Sequence, residues 1–309
     1  MPRELPPLNA VRAFEAAGRN LSISKAAREL GVSSGAVSHQ VRLLEEYFGL
    51  PLFLRETRRV SLTSAGQACL PALTAGLDRI EEAVHRMNQA QKPGRVSVSV
   101  EISFAERWLV PRLARFRATY PEVVVELMGR PLDLEAAVYK SNFAIAYGSR
   151  RFQGLIVERM MSEYVYPVCS PTFASAYGLE RPSDLRRGAP LLHDDTMARN
   201  AWYPDWSTWL SGQGQHDVDT AAGNRFTASS MALQAACEGD GIALGRGALV
   251  ASDLRSGRLI APFGIAHAPS FDYFVVGLPA ALEQPQVAVF RDWLLDEGAK
   301  EGAALRPTG

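Results

Sequence analysis

Residues 22–42 read SISKAARELGVSSGAVSHQVR, and this stretch decides the fold of the first part of the chain. Ala26, Ala27 and Leu30 recur at helical spacing, which predicts a short amphipathic helix ending near Leu30. Gly31 follows, the residue that enters a left-handed turn at the least steric cost. Ser33 stands where an N-cap belongs, its hydroxyl placed to accept from an N–H two or three residues on. Val37, Val41, Leu44 and Phe48 then follow at steps of four, three and four, the apolar stripe of a second helix. Two helices joined by a short glycine-containing turn form a helix-turn-helix. Its second helix turns Ser34, Gly35, Ser38, His39 and Arg42 outward, small or hydrogen-bonding residues of the kind a major-groove helix presents. The competing interpretation is an ordinary αα-hairpin with a polar outer face.

The flanking sequence favours DNA. Leu8, Val11 and Phe14 mark a helix over residues 7–17, with Pro7 as its start and Gly18 as its end. After the recognition helix, residues 51–55 and 60–62 read as two strands around a turn at 56–59. Such a hairpin is the wing of a winged helix. Arg55, Arg58 and Arg59 crowd its tip, and arginine pairs well with closely spaced phosphates. Residues 64–90 follow as one long helix of about 40 Å at 1.5 Å per residue. Its Leu70, Leu73, Leu77, Ile80, Val84 and Met87 alternate steps of three and four, a heptad seam suited to a second copy of the chain. Pro71 is expected to bend it near its start, and residues 91–94, QKPG, read as a hinge.

Beyond Gly94 the pattern becomes α/β. Val96, Val98 and Val100 alternate with polar residues as a strand, and Phe104, Trp108, Leu109, Leu113 and Phe116 follow at helical spacing. Further strands are expected at 123–127, 143–147, 155–160, 164–169, 190–193, up to Phe226, after Gly239–Gly245 and at 272–276; helices at 132–138, 229–237 and 286–295. Alternating strands and helices predict a parallel sheet. Residues 298–309 read as a loose tail.

The runs LNAVRAFEAAG, AARELGVSSGAVSHQVRLLEE, LPLFLR and RRVSLTSAG resemble the start of a LysR-type transcriptional regulator, in the branch of glycine-cleavage and β-lactamase regulators. ERWLVPRLARF, YPVCSP, LQAACEGDGIAL and GRLIAPF resemble that family's sensor region, similar in fold to periplasmic binding proteins. The resemblance implies an α/β protein in three parts. Residues 1–63 form a winged helix-turn-helix and 64–93 a dimerisation helix with hinge. Residues 94–309 form a two-lobed effector domain, lobe I near 94–162 and 268–300, lobe II near 163–267. It implies double-stranded DNA, a small-molecule effector of carboxylate or amino-acid-like character, and RNA polymerase as partners. It also implies a homodimer or a dimer of dimers, in the cytoplasm, without cofactor or metal.

Ligands in open α/β sheets bind beyond the carboxyl ends of strands. That rule, with the resemblance, marks Ser103 and Phe104 at a strand-to-helix junction, Tyr147 and Ser149 at the end of another strand, and Thr227 and Ser229 at a junction in the second lobe. Trp202 is a further cleft residue, whereas Trp206 and Trp209 read as core. Relatives often carry Gln or His where this chain has Ser34, Arg where it has Ala146, and Asp where it has Asn142.

Composition bounds the alternatives. The net charge is zero, yet residues 1–93 carry twelve of the thirty-three Lys/Arg and only nine of the thirty-three Asp/Glu, a slightly basic end on a slightly acidic body. An enzyme is disfavoured, since the sequence has no GxSxG, GxxxxGK[ST] or GxGxxG in the right context. His193, Asp194 and Asp195 are adjacent and on a strand point to opposite faces, so a joint metal site is not expected. A thiol-based redox regulator is the second reading, but Cys69, Cys169 and Cys237 are far apart and lack CxxC spacing. No signal peptide and no run of about eighteen apolar residues is evident.

These readings separate two kinds of DNA contact. Arg58→Ala or Arg59→Ala is expected to weaken binding equally on specific and random DNA and to lower the salt slope by about one. Ser34→Ala or His39→Ala is expected to reduce discrimination instead. Titrations against both DNAs at several salt concentrations distinguish them, and a uniform loss from the helix variants would place those side chains on the backbone.

Overall fold

The computed structural model describes residues 4–55, 60–90, 94–129, 137–138, 140–148, 154–197, 205–265 and 272–304. It divides into two compact units, Met1–Met87 and Asn88–Gly309.

The first unit packs α1 (Leu8–Asn20), α2 (Ile23–Leu30) and α3 (Ser34–Phe48) around Phe14, Ala17, Ala26, Val37, Val41 and Leu44. Gly31 takes φ 67° at the end of α2, and Ser33 Oγ accepts from Ala36 N at 3.2 Å to start α3. The helix-turn-helix geometry is therefore closed by one glycine and one hydroxyl. Phe48 departs from the expected stripe: it is 43% exposed, because α3 ends there and Gly49 turns the chain away. Gly18 is also not a helix end. The helix runs on to Asn20, and Leu21 takes the left-handed φ of 46°. Gly18 instead admits a neighbour, since a Cβ there would lie 3.1 Å from Leu70 Cδ1.

β1 (Phe53–Arg55) and β2 (Val60–Leu62) form the antiparallel wing, and Glu45 anchors its start by accepting from Leu52 N at 2.7 Å. The long helix α4 (Ser64–Ala90) begins on Thr63. Its N–H and hydroxyl both donate to Leu52 O, and its Oγ1 accepts from Gly66 N at 3.1 Å. The expected seam divides. Leu70, Leu73 and Leu77 pack on the core of their own unit, while Ile80 and Val84 are about half exposed. The side chain of Met87 lies outside the described residues.

The second unit holds two sheets. The first has the order β4-β3-β5-β11-β6, from Val124–Gly129, Arg95–Val100, Phe143–Gly148, Asp272–Gly277 and Ile156–Ser162. The second has the order β7-β10-β8-β9, from Val165–Val168, Ile242–Arg246, Leu191–Asp194 and Asn224–Phe226. Neither sheet is purely parallel: β11 runs antiparallel to β5 and β6, and β10 antiparallel to β7. The reason is connectivity, because the chain leaves the first sheet after β6, builds the second, and re-enters as β11 from the other direction. Buried Ser97 and Ser99 on β3 are satisfied by Asn142 and the Ala137 carbonyl.

Residues 102–119 are helical throughout and are called α5. They comprise Ile102–Phe104, a π-helical turn Ala105–Leu109 and Val110–Thr119. Pro111 has no N–H for the ladder, and the widened turn precedes it. Then come α6 (Pro171–Tyr177), α7 (Trp206–Gly212), α8 (Ser229–Glu238), α9 (Gly247–Ser256), α10 (Pro279–Leu282) and α11 (Pro285–Ala304). The expected loose tail is thus helix as far as Ala304. Glu297 and Glu301 pair with Arg115 and Arg112 of α5, and Gly298 lies against Met160, where a Cβ would come within 2.6 Å of Cγ. Charge pairs and a close helix-to-strand approach hold a segment that apolar periodicity alone does not mark. Residues 132–136 of the expected helix at 132–138 lie outside the described residues.

Gly66 offers a direct check of the first unit. A Cβ there would stand 2.3 Å from the Leu52 carbonyl oxygen, which cannot retreat without breaking its bonds from Thr63. Gly66→Ala is expected to destabilise that unit by about 2 kcal/mol, read as a lower midpoint in chemical denaturation; an unchanged midpoint would show that wing and helix are not so coupled.

Candidate functional site

Two regions carry the polar residues singled out by sequence. On the first unit, Ser33, Ser34, Gly35, Ser38, His39 and Arg42 are all exposed along the start and outer face of α3. Ser38 Oγ donates to the Ser34 carbonyl at 2.9 Å, and the nearest atom to a Cβ on Gly35 would be Ser33 Oγ at 3.8 Å. Among the described residues nothing requires Gly35 to lack a side chain. Arg58 and Arg59 lie outside the described residues, as does the side chain of Arg55.

On the second unit the chemistry converges where the two sheets meet. Arg246 ends β10 and is 1% exposed, a guanidinium withdrawn from water. It donates to Glu101 Oε2 at 2.7 Å, to Ser229 Oγ at 2.9 Å and to Tyr273 Oη at 3.1 Å, and it lies 5.0 Å from the centre of the Tyr147 ring. Glu101 follows β3 on the first sheet and caps α5, its Oε1 accepting from Ser103 N at 2.9 Å. Burial pushes the Glu101 carboxyl upward, but the Arg246 charge and the bonds from Arg246 and Ser103 outweigh it and hold the group below its ordinary value. Ser229 in turn donates to Asp194. A second bond spans the lobes, from Ser230 N to Ser103 Oγ at 3.0 Å.

The expected effector residues therefore fall into distinct places. Ser103 and Ser229 are both buried, and both belong to this inter-lobe network. Phe104 is fully buried between Trp108 and Tyr273 and is core, its ring centre 4.4 Å from that of Tyr273. Tyr147 is half-buried and stacks beside Tyr273 on the neighbouring strand. Thr227 is exposed between β9 and α8. Ser149 and Trp202 lie outside the described residues, while Trp206 and Trp209 are buried in the second lobe. A groove of about 610 Å³ opens beside the network, bounded by Arg107, Phe226, Ser230, Met231 and Asp253. Among the described expected residues none lines it, although Phe226 and Ser230 adjoin Thr227 and Ser229 in sequence. Sequence reasoning missed Arg246, Glu101 and Tyr273. A signal existed, because Arg246 breaks the apolar run IALGRGALV and a charge inside a buried strand demands a partner.

Other candidates resolve into structural roles. His193 bonds the Ala222 carbonyl, and Asp195 pairs with Arg225. Among the described residues no cluster of His, Cys, Asp and Glu suits a metal ion. Burial raises all three thiols above their ordinary value, Cys169 to about 12. A thiol held protonated is a poor nucleophile, and the redox alternative is not favoured. Among the described residues no helix is long and apolar enough to cross a membrane.

A helix-turn-helix with an exposed recognition face, followed by a two-lobed α/β unit, defines a DNA-binding regulator with a sensor region. Residues 8–67 match the bacterial regulatory helix-turn-helix proteins of the LysR family, and residues 89–299 the LysR substrate-binding domain. The glycine cleavage system transcriptional activator of Escherichia coli K12 is 36% identical over 307 residues, covering 99% of this chain and 98% of its own. The transcriptional activator AmpR of Providencia stuartii is 34% identical over 294 residues, covering 95% and 97%. The effector domain of Pseudomonas aeruginosa AmpR superposes with a TM-score of 0.57 at 26% identity, covering 68% of this chain and 98% of that one. The chain belongs to the LysR family of transcriptional regulators.

The crossing between the lobes contains a titratable group. Glu163 is 2% exposed and accepts from Tyr164 N at 2.8 Å and from Ala248 N at the start of α9. Burial raises its carboxyl from 4.5 to about 7, against the pull of those N–H groups and of Arg246. A folded-state value above the unfolded one means that the protonated form stabilises the fold, and that this contribution is lost as pH rises from about 4.5 through about 7, at up to about 1.4 kcal/mol per unit. In Glu163→Gln this loss should vanish. Denaturation of both proteins between pH 5 and 7.5 checks it: the variant should gain on the wild type as pH rises, and a constant difference would refute the titration.

Proposed function

We propose that the regulator reads its operator as a dimer through α3 and the wing, and that a small molecule held between the sensor lobes changes how it does so. The observation that carries the effector half is the pair of inter-lobe contacts, Arg246 to Glu101 and Ser230 to Ser103, both beyond the carboxyl ends of strands. Ser103, Tyr147, Ser149, Trp202, Thr227 and Ser229 are assigned to the effector cleft, with Phe104 supporting it from the core. A ligand that bonds one arrangement of the lobes better than another shifts the balance between them, and only that difference in affinity can do so. Activation is the expected direction, since the relatives are named as activators. A dimer of dimers in contact with RNA polymerase completes the assignment. A thermal-shift screen of amino acids, small carboxylates and cell-wall fragments on the full chain tests it, since a native-state binder raises Tm by mass action. Ligands that raise Tm without altering operator binding or a reporter would sink the effector reading.

Dimerisation is assigned to the part of the α4 seam that its own unit leaves uncovered. Leu70, Leu73 and Leu77 already serve the winged core, whereas Ile80 at 47% and Val84 at 51% exposure face outward, with Met87 the next seam position. The double variant Ile80→Asp with Val84→Asp is expected to leave the first unit folded and to shift the protein to monomer at micromolar concentration. Operator affinity should fall with it, because one half-site alone is held weakly. Sedimentation velocity beside an operator titration checks both, and a dimer that survives would move the interface elsewhere.

A further inference from the structure

Six glycines occur in Met1–Met87, and four have a reason inside that unit. Gly31 and Gly49 take φ of 67° and 68°, a left-handed backbone that favours glycine. At Gly18 a Cβ would crowd Leu70, and at Gly66 the Leu52 carbonyl. Gly76 has no such neighbour among the described residues, but it lies four residues before Ile80 on the helix assigned to the second copy. Gly35 is left. It is the second residue of α3, its φ is outside the left-handed range, and a Cβ there would stand 3.8 Å from Ser33 Oγ, an ordinary contact. Alanine in its place would favour the helix and restrict the unfolded chain. The glycine thus costs the unit stability, while its bare Cα opens the start of α3 to an outside partner.

The residues around it define what that partner offers. Ser33, Ser34, Ala36 and Ser38 are exposed beside it, and none carries more than one heavy atom beyond Cβ. The start of the helix can therefore approach a base pair with no long side chain between them. The apolar group that projects into the major groove is the 5-methyl of thymine. A carbon surface made of Gly35 Cα and Ala36 Cβ suits that methyl and offers nothing to the polar edge of a guanine. Ser38 adds direction. Its hydroxyl donates to the Ser34 carbonyl at 2.9 Å, so it meets an outside group as an acceptor. The adenine paired with a thymine presents its N6 amino group, a donor. Gly35 and Ser38 are three residues apart and share one face of the helix.

We propose that Gly35 is a specificity-determining residue: its bare Cα forms a notch that takes the 5-methyl of one operator thymine, with Ser38 accepting from the adenine paired to it. The inference rests on the reading that α3 enters the major groove. The test takes the full chain and a pool of duplexes of randomised sequence, from which bound duplexes are enriched. These are remade with 2′-deoxyuridine in place of one thymine at a time, which removes only the methyl. In the wild type one such replacement in each half-site is expected to weaken binding about fourfold, the worth of one buried methyl. Gly35→Ala should unfold at a higher denaturant midpoint than the wild type, yet bind the thymine duplex about tenfold more weakly, as for one mismatched pair. At that same position it should prefer deoxyuridine, because its own methyl occupies the place that the base has vacated. A general loss of fold or charge would not reverse the preference in this way. If Gly35→Ala is the less stable protein, the glycine has a structural reason and the inference fails. If wild type and variant respond alike to every single replacement, it fails too, while the enrichment itself keeps the operator reading. If no sequence is enriched, both fail.

Discussion

A charged guanidinium buried between two sheets imposes the main constraint on the sensor region. Arg246 cannot shed its proton, so the surroundings must supply oxygens. They come from both lobes: Glu101 and Tyr273 from the first sheet, Ser229 from the second lobe. The strand ends that carry these groups must meet at one point for the charge to be tolerated. The mixed sheet follows the same logic, since Tyr273 reaches Arg246 only because β11 returns through the middle of the first sheet, beside Tyr147. Packing then follows chemistry, with Phe104 filling the space beneath Tyr273 and Trp108 beneath Phe104.

Local signals were the most legible. Gly31, Ser33 and the stripe of Val37, Val41 and Leu44 specify the helix-turn-helix through turn conformation, cap and period, none of which needs distant partners. The bounds of α4 and of several strands could be read for the same reason. What failed was the long-range content. Gly18 looks like punctuation in sequence, but its role is to let Leu70 approach from fifty residues away. Residues 298–304 look polar and loose, yet Glu297 and Glu301 meet arginines of α5 that no local pattern can pair with them. The strand-to-helix junctions at Ser103 and Ser229 were legible as such. Their partners were not, because Ser103 is joined to Ser230 and Arg246 to Glu101 only through tertiary structure.

Burial also sorts the acids of the sensor unit into different states. Glu101, beside a cation and capping a helix, is held ionised. Glu163, 2% exposed, is raised by burial to about 7, against the pull of its N–H donors and of Arg246. The contrast is one of depth as well as of neighbours.

The division of the α4 seam has a geometric consequence. A helix transmits rotation as well as distance, about 100° for each residue at 3.6 residues per turn. Leu77, fixed on the winged core, and Ile80, facing outward, are three residues apart on the same rod. The azimuth at which a reading head stands relative to the outward apolar face is therefore written in that count of residues. Adding one residue between them would leave every apolar contact type available and cost little stability, yet it would turn the head by roughly a quarter of a circle. The spacing works as an angular setting between the winged core and the outward apolar face of the helix.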